Sequence, residues 1–323
     1  MDLDGLLAAL RSYQESRILL TAIELNLFTC VEGGATAEQV AQRMGGGPRA
    51  TRMLLDALVS LGVLTKSGMK YSNTAMAAKY LTDSSAGNLR PSMLHDVHRW
   101  QTWSNLTGRI QGSIQPEQHS ALEPERHRAL LAMLDRKSVE RAPKLLGAIG
   151  NAGVWRVLDL GGGSGAYSIA YARENEAVGA VVFELPQTAP ITQEYIQRSG
   201  LQHRVKVRAG DFLSEDLGAG HDLILLFSIT HLLGEKDNQD LLARCHRALA
   251  PAGRVAIHDH IMDADKTRPR AGAIFALNML LATPGGGTYS DLEYGAWLGA
   301  AGFSAVERRE VPGEPTALLI ATR

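Results

Sequence analysis

The sequence predicts an α/β protein: a doubly wound, Rossmann-like parallel sheet in the C-terminal half, preceded by a helical, winged-helix-like domain. Three observations carry this reading. Short apolar runs alternate with amphipathic helices from residue 154 onward. A glycine-rich turn, Gly161-Gly162-Gly163-Ser164-Gly165, follows the first of those runs. The first ninety or so residues read as helix, helix, helix and hairpin.

Along the N-terminal part, apolar residues recur at helical spacing through Leu6, Leu7, Leu10, Tyr13, Ile18, Leu19 and Ile23. Gly33-Gly34 breaks that pattern, Thr36 is placed to cap a helix over 37–43, and Gly45-Gly46-Gly47-Pro48 breaks it again. A helix over 49–61 stops at Gly62, and two short strands flank a turn within 63–71. From 87 to 149 the pattern is helical, with an interruption near Gly112–Pro124. These signals divide the chain into a winged-helix-like dimerisation domain over 1–90, a helical linker and substrate lid over 91–150, and a ligand-binding domain over 151–323. The helix at recognition-helix position, Arg49 to Leu58, is mostly apolar with cations only at Arg49 and Arg52, unlike a DNA reader. The apolar stripe of 6–23 would stay unburied in a monomer, so a homodimer through this domain is expected.

In the second half, 154–160, 179–184, 204–208, 222–228 and 253–258 read as strands. Helices at 165–173, 187–199 and 236–249 fall between them. The segments 303–309 and 315–321 are separated only by the turn at Pro312-Gly313, so the last pair is expected to be an antiparallel hairpin.

Composition narrows the partners. With 323 residues, 45% hydrophobic and 21% charged, the chain is long enough for two domains and sits in the ordinary globular range. A net charge of −1 without clustered Lys and Arg argues against a nucleic-acid partner. Cys30 and Cys245 lie far apart and match no metal spacing, as in a reduced cytoplasm. No apolar run approaches the roughly 20 residues that cross a bilayer, and the acidic start lacks the features of a signal peptide. A cytoplasmic protein without membrane contact is expected.

The segment Val157-Leu158-Asp159-Leu160-Gly161-Gly162-Gly163-Ser164-Gly165 is the strongest chemical signal. Glycines after a strand turn tightly and let a ligand approach the backbone. Dinucleotide sites share that pattern, and a purely structural turn with Asp159 as a helix cap would also produce it. Carboxylates sharpen it. Glu184 ends the second strand about twenty residues on, where an acid bridges ribose hydroxyls. Asp159 would repel a pyrophosphate and suits a ligand carrying an ammonium and a sulfonium. Gly210-Asp211-Phe212 offers an acceptor for an adenine amino group and an aromatic face.

On these residues the chain resembles the class I S-adenosylmethionine-dependent methyltransferases. More closely it resembles the dimeric small-molecule O-methyltransferases that include plant caffeate and bacterial polyketide enzymes. The resemblance covers nearly the whole chain, with 13–82 matching that family's dimerisation domain. It implies a seven-stranded sheet with an antiparallel last strand and S-adenosyl-L-methionine as cofactor. Gly161 and Gly163 would line the methionine end, Glu184 the ribose, and Asp211 with Phe212 the adenine. Ser228 would lie beside the cofactor's amino-acid tail.

The family carries its base in a His-Asp-Trp segment after the fourth strand, upstream of an Arg-Cys pair. Here the segment is His231-Leu232-Leu233, with Arg244-Cys245 at the matching distance. A phenol of pKa about 10 is helped by a positioned imidazole of pKa about 6.5. The resemblance therefore puts the base at His231; a histidine that only caps or packs near the 236–249 helix is the alternative. The family's glutamate after the fifth strand is Asp259 here, expected to orient His231, and its second glutamate falls on Thr288. His258 and His260 lack a clear third ligand, so no metal is expected. Trp103, Met133 and Met279 match substrate-facing positions of the family. Trp100, Phe275 and Asn278 are further lining candidates, Asn278 as a hydrogen-bonding partner for an acceptor oxygen. The expected function is methyl transfer to a hydroxyl of a small aromatic or enolic molecule. A C- or N-methyltransferase, a non-methylating cofactor-binding derivative, and a winged-helix regulator are the alternatives.

Overall fold

A computed structural model describes residues 1–116 and 124–323. The interruption expected near Gly112–Pro124 falls largely at 117–123, outside the described residues. The chain forms two compact units. One holds residues 1–101 with 124–130, and the other 102–116 with 131–323. The expected boundary at residue 90 thus falls at the start of a helix, Arg90–Ser104, most of which belongs with the first unit.

The first unit runs α1 (Leu3–Arg11), α2 (Tyr13–Glu24), α3 (Leu27–Val31), β1 (Ala35–Thr36), α4 (Ala37–Met44) and α5 (Pro48–Ser60). The hairpin β2 (Leu64–Ser67) and β3 (Lys70–Asn73), α6 (Ala75–Tyr80) and most of α7 (Arg90–Ser104) follow. Its small antiparallel sheet is ordered β1-β3-β2. Thr36 caps α4 as expected, in a reciprocal capping box with Gln39. Leu27, Phe28, Val40, Leu55, Leu58 and Tyr71 make the core. Helix α1 buries no residue at all, and Leu3, Leu6, Leu7 and Leu10 stand exposed. Trp100, a candidate lining residue, belongs to this unit and lies beside Tyr13 and under the Arg17 guanidinium.

The second unit contains α8 (Leu106–Ile110), the continuation of α9 (Pro124–Ile149), then β4 (Arg156–Leu160), α10 (Ala166–Glu174), β5 (Gly179–Glu184), α11 (Ala189–Ser199) and β6 (Val205–Ala209). It goes on through β7 (His221–Phe227), a 3-10 turn (Thr230–Leu232), α12 (Glu235–Ala248) and β8 (Leu249–Asp259). The chain ends with β9 (Ile261–Met262), α13 (Arg270–Ala282), β10 (Tyr289–Ser290), α14 (Asp291–Ala300), β11 (Ser304–Glu310) and β12 (Ala317–Thr322). The seven-stranded sheet is ordered β11-β12-β8-β7-β4-β5-β6. Every pairing is parallel except those of β12, which runs antiparallel between β8 and β11. This matches the expected sheet, including its reversed last strand.

Alternate residues of each strand face opposite layers. Leu158, Leu160, Ile224, Leu226, Ile257 and Leu319 pack with residues of α12 and α14. Val157, Val182, Leu223, Leu225, Leu318 and Ile320 pack with residues of α9, α10 and α11. A sheet covered on both faces leaves ligands only its edges, and here the strand order reverses between β4 and β7 at the carboxyl edge. Among the described residues no helix is long and apolar enough to cross a membrane.

Leu298 is fully buried in the layer on the α12 and α14 side. Leu298→Ala should cost about 2–5 kcal/mol of unfolding free energy by urea denaturation, because the cavity collapses only in part.

Candidate active site

The sheet ends five strands at one edge, at Leu160, Glu184, Ala209, Phe227 and Asp259, and the predicted site residues gather there. The glycine loop is built by its neighbours. Gly161 donates to the Phe183 carbonyl at 2.9 Å, and its φ of +65° is one that side chains avoid. A Cβ on Gly161 would lie 2.3 Å from Cδ1 of Ile229 and 3.5 Å from the Phe212 ring, so the loop, Ile229 and Phe212 meet in one place. Gly163, at φ +60°, donates to Oε1 of Glu184 at 2.8 Å, while its carbonyl accepts from Oγ1 of Thr192 on α11.

Glu184 is buried and also accepts from the Leu185 amide at 2.9 Å. Burial pushes its carboxyl above the usual range, and these two amides pull partly against that. Asp211 holds its own turn: its carboxylate accepts from the Leu213 amide at 2.9 Å and the Ser214 hydroxyl at 3.1 Å. Arg244 on α12 pins the same turn by donating to the carbonyls of Phe212 and Leu213 at 2.7 Å and to that of Glu215. The sequence offered Arg244 only as a spacing marker, since nothing local says which carbonyls a guanidinium will reach. Ser228 is exposed at φ +58°, its amide donating to the His258 carbonyl at 2.9 Å.

Asp159 differs from the expectation of a carboxylate offered to a ligand. It is fully buried under Gly162, where a Cβ would fall 2.5 Å from its carboxyl, and Oδ2 accepts from Ser168 at 2.8 Å. Nor does it cap a helix, because the N-cap of α10 is Gly165. Its Oδ1 has no partner. Burial chiefly, with Glu184 nearby, pushes its carboxyl up to about 7.

The histidine and aspartate come together as expected. His231 Nδ1 lies 2.8 and 2.9 Å from the two carboxylate oxygens of Asp259. Burial by itself would raise the Asp259 pKa; the His231 ring and the surrounding donors outweigh it and hold the group down at about 2. An ionised carboxylate only accepts, so Nδ1 carries a proton, and in the neutral ring the lone pair is on Nε2. The ring meets the edge of Phe275 on α13 at 4.9 Å. The Gly285-Gly286-Gly287 turn closes behind it, with the Gly287 amide donating to the His231 carbonyl at 2.9 Å. Thr288, at the family's second acid position, is buried.

Of the substrate candidates, Trp103 and Asn278 are bonded to each other, the indole Nε1 donating to Oδ1 at 2.7 Å. The Asn278 carbonyl oxygen thus already accepts one hydrogen bond, from Trp103. Met279 is buried next to Asn278. Met133 is half-buried two residues past Leu131, the residue that packs by Gly163, and so points from a different face of α9. His258 bonds Thr316 and faces Phe227, His260 lies on Phe275, and no cluster suited to a metal occurs among the described residues.

These residues fit a cationic nucleoside. Glu184 and Asp211 are acceptors for hydroxyl and amino groups, Phe212 supplies an aromatic face, the orphaned Asp159 oxygen lies beneath the loop, and none of the motif residues is a cation for a phosphate.

Comparison with known proteins agrees. Family models for an O-methyltransferase domain and an O-methyltransferase dimerisation domain match residues 104–304 and 7–83. A 3-hydroxy-5-methyl-1-naphthoate 3-O-methyltransferase of Streptomyces sahachiroi is 33% identical over 301 residues, 90% of this chain and 87% of the relative. The tetracenomycin polyketide synthesis 8-O-methyl transferase TcmO of Streptomyces glaucescens is 31% identical over 314 residues, 94% and 92% of the two. An O-methyltransferase family protein of Burkholderia thailandensis superposes with a TM-score of 0.88 at 25% identity, covering 100% of this chain and 98% of the other. Human N-acetylserotonin methyltransferase in complex with SAM shares the fold with a TM-score of 0.82 at 21% identity, covering 100% and 98%.

Two outcomes follow. Gly161→Ala, with its new methyl inside Ile229, should weaken S-adenosylhomocysteine binding by roughly tenfold or more in calorimetry. Because the folded-state pKa of Asp159 is raised to about 7, folding takes up a proton there, and that contribution to stability declines as pH rises from about 4 to about 7. Asp159→Asn should therefore gain more thermal stability over the parent at pH 8 than at pH 5; an equal gap at both would contradict the assignment.

Proposed function

This chain belongs to the O-methyltransferase family and is an S-adenosylmethionine-dependent methyltransferase, and we propose that its acceptor is a hydroxyl of a small aromatic or enolic molecule, with His231 as general base. The observation that carries the reading is the His231–Asp259 pair, with Nδ1 shared between both carboxylate oxygens at 2.8 and 2.9 Å.

S-Adenosylmethionine would supply an electrophilic methyl group on a sulfonium, whose S–C bond breaks as the O–C bond forms and leaves S-adenosylhomocysteine as a neutral thioether. Glu184 is suited to the ribose hydroxyls, Asp211 and Phe212 to the adenine, and Gly161, Gly163 and Ser228 to the amino-acid end. Asp159 acts from beneath the loop, where it accepts from Ser168 of α10. His231 takes the hydroxyl proton on Nε2 as the acceptor oxygen gains its methyl. The ring then carries a positive charge that Asp259, ionised at all working pH values, balances across the Nδ1–H. Phe275 covers one side of the imidazole and keeps water from it. Trp103, Asn278, Met279 and Met133 form the acceptor pocket, a largely apolar set with one amide for orientation.

The acceptors printed in the names of the two Streptomyces relatives, a hydroxynaphthoate and a polyketide, support a flat polycyclic substrate. The matched dimerisation domain and the bare apolar face of α1 support a homodimer; 91–150 is proposed as linker and lid, and the cytoplasm as the setting. Nothing in the motif set suits nucleic acid or a membrane surface.

Incubation with S-adenosylmethionine and a panel of hydroxynaphthoates and enolic acids should give a one-methyl mass increase located on oxygen. Methylation on carbon or nitrogen instead would overturn the reading. His231→Ala should lower kcat by about 10² to 10⁴ while leaving cofactor affinity within a few-fold; parallel loss of both would mean that the histidine is structural.

A further inference from the structure

The Asp259 carboxylate receives more than its imidazole. Oδ2 accepts from the Thr230 hydroxyl at 2.8 Å and from the His231 amide at 3.2 Å, and Oδ1 accepts from the His260 amide at 2.8 Å. Behind Thr230 stands Tyr294 of α14, its hydroxyl 2.6 Å from Oγ1. Thr230, Asp259 and Tyr294 are all buried, Tyr294 against Tyr289 and Trp297. The proton directions in this chain are fixed by counting. A carboxylate can only accept, so the single Thr230 hydrogen goes to Oδ2. Tyr294 must then give its hydrogen to Thr230.

We propose that Tyr294 and Thr230 are positioning residues for methyl transfer, a two-hydroxyl relay that locks the Asp259 carboxylate in the plane where it can hold His231 Nδ1. The relay rests on the reading of His231 as the base. Two features make it more than packing. Its hydroxyls line up in one direction, each bond strengthening the next, and they end on a buried charge, where a lost donor is felt most. Burial above all, reinforced by the Asp259 charge, raises the Tyr294 phenol well above its ordinary value, so it stays a donor throughout the working range. Without the relay, Oδ2 would keep only its 2.9 Å share of the imidazole bond and the 3.2 Å contact to the His231 amide, and the carboxylate could rotate about its Cβ–Cγ bond.

Thr230→Val keeps the shape of the side chain and removes its hydroxyl, Thr230→Ser keeps the hydroxyl, and Tyr294→Phe removes the outer donor alone. With a hydroxynaphthoate that the parent enzyme methylates, Thr230→Val should lose about tenfold or more in kcat with KM within twofold. Thr230→Ser should recover most of that loss, and Tyr294→Phe should lose less than Thr230→Val. Combining Tyr294→Phe with Thr230→Val should add little, since the outer donor acts only through the inner one. A second readout needs no acceptor. The far-downfield proton resonance of His231 Nδ1–H, identified by its loss in His231→Ala, should move in Thr230→Val and Tyr294→Phe and return in Thr230→Ser.

An unchanged resonance with unchanged kcat in both hydroxyl-deleting variants overturns the relay, and so does a loss that Thr230→Ser fails to recover. Should Thr230→Val not fold, Tyr294→Phe decides alone. The two claims separate cleanly: if His231→Ala keeps full turnover while the relay variants move the resonance, the base assignment fails and takes the role in methyl transfer with it, leaving only a structural hold on the imidazole. If His231→Ala abolishes turnover while the relay variants change nothing, the base assignment stands and the relay fails.

Discussion

A charged carboxylate survives inside a protein only where donors replace the water it has lost, and the carboxyl edge of this sheet is arranged around that requirement at Asp259. Its donors come from the 3-10 turn after β7, from the first residue beyond β8, and from the imidazole itself. Satisfying one side chain thereby fixes the ends of two neighbouring strands and the ring between them. The glycine turn at 285–287 completes the clamp: a Cβ on Gly286 would fall 2.4 Å from the His231 carbonyl, so backbone can approach where no side chain could.

The contrast with Asp159 shows how far donors decide the outcome. Both aspartates sit near the carboxyl ends of strands in one sheet, and both are withdrawn from solvent. Asp159 has one hydroxyl partner and an orphaned oxygen, and its carboxyl is pushed up to about 7. Asp259, with several donors and a histidine, is held at about 2. Equal burial with unequal company yields one group suited to sensing its surroundings and another suited to staying charged.

Much of this was legible in the sequence because it lies in local pattern. Alternating apolar runs and helices located each strand of the seven-stranded sheet to within a few residues, and the short turn at Pro312-Gly313 announced the antiparallel partner. His231 and Asp259 were found through a family resemblance, and their pairing depends on two strand ends whose adjacency the alternation implies. What stayed hidden depends on side-chain direction or on distant partners. The polarity of Asp159 suggested a ligand contact, whereas the inward pleat of β4 turns it under the loop. The commitment of Asn278 to Trp103 joins residues far apart in the chain, and so does the grip of Arg244 on three carbonyls. Helix α14 starts with a capping box between Ser290 and Glu293, and no chemistry in its sequence pointed to Tyr294.

The position of β12 has a consequence for the order in which the molecule can be assembled. It lies between β8 and β11, so one flank of β8, the strand that ends in Asp259, has no hydrogen-bonded neighbour until residues 317–322 have been synthesised. A nascent chain lacking that segment exposes a long apolar edge beside its future reaction centre, the kind of surface that invites wrong pairing. Placing the antiparallel strand there makes a late-synthesised segment the one that completes the pairing of the strand carrying Asp259.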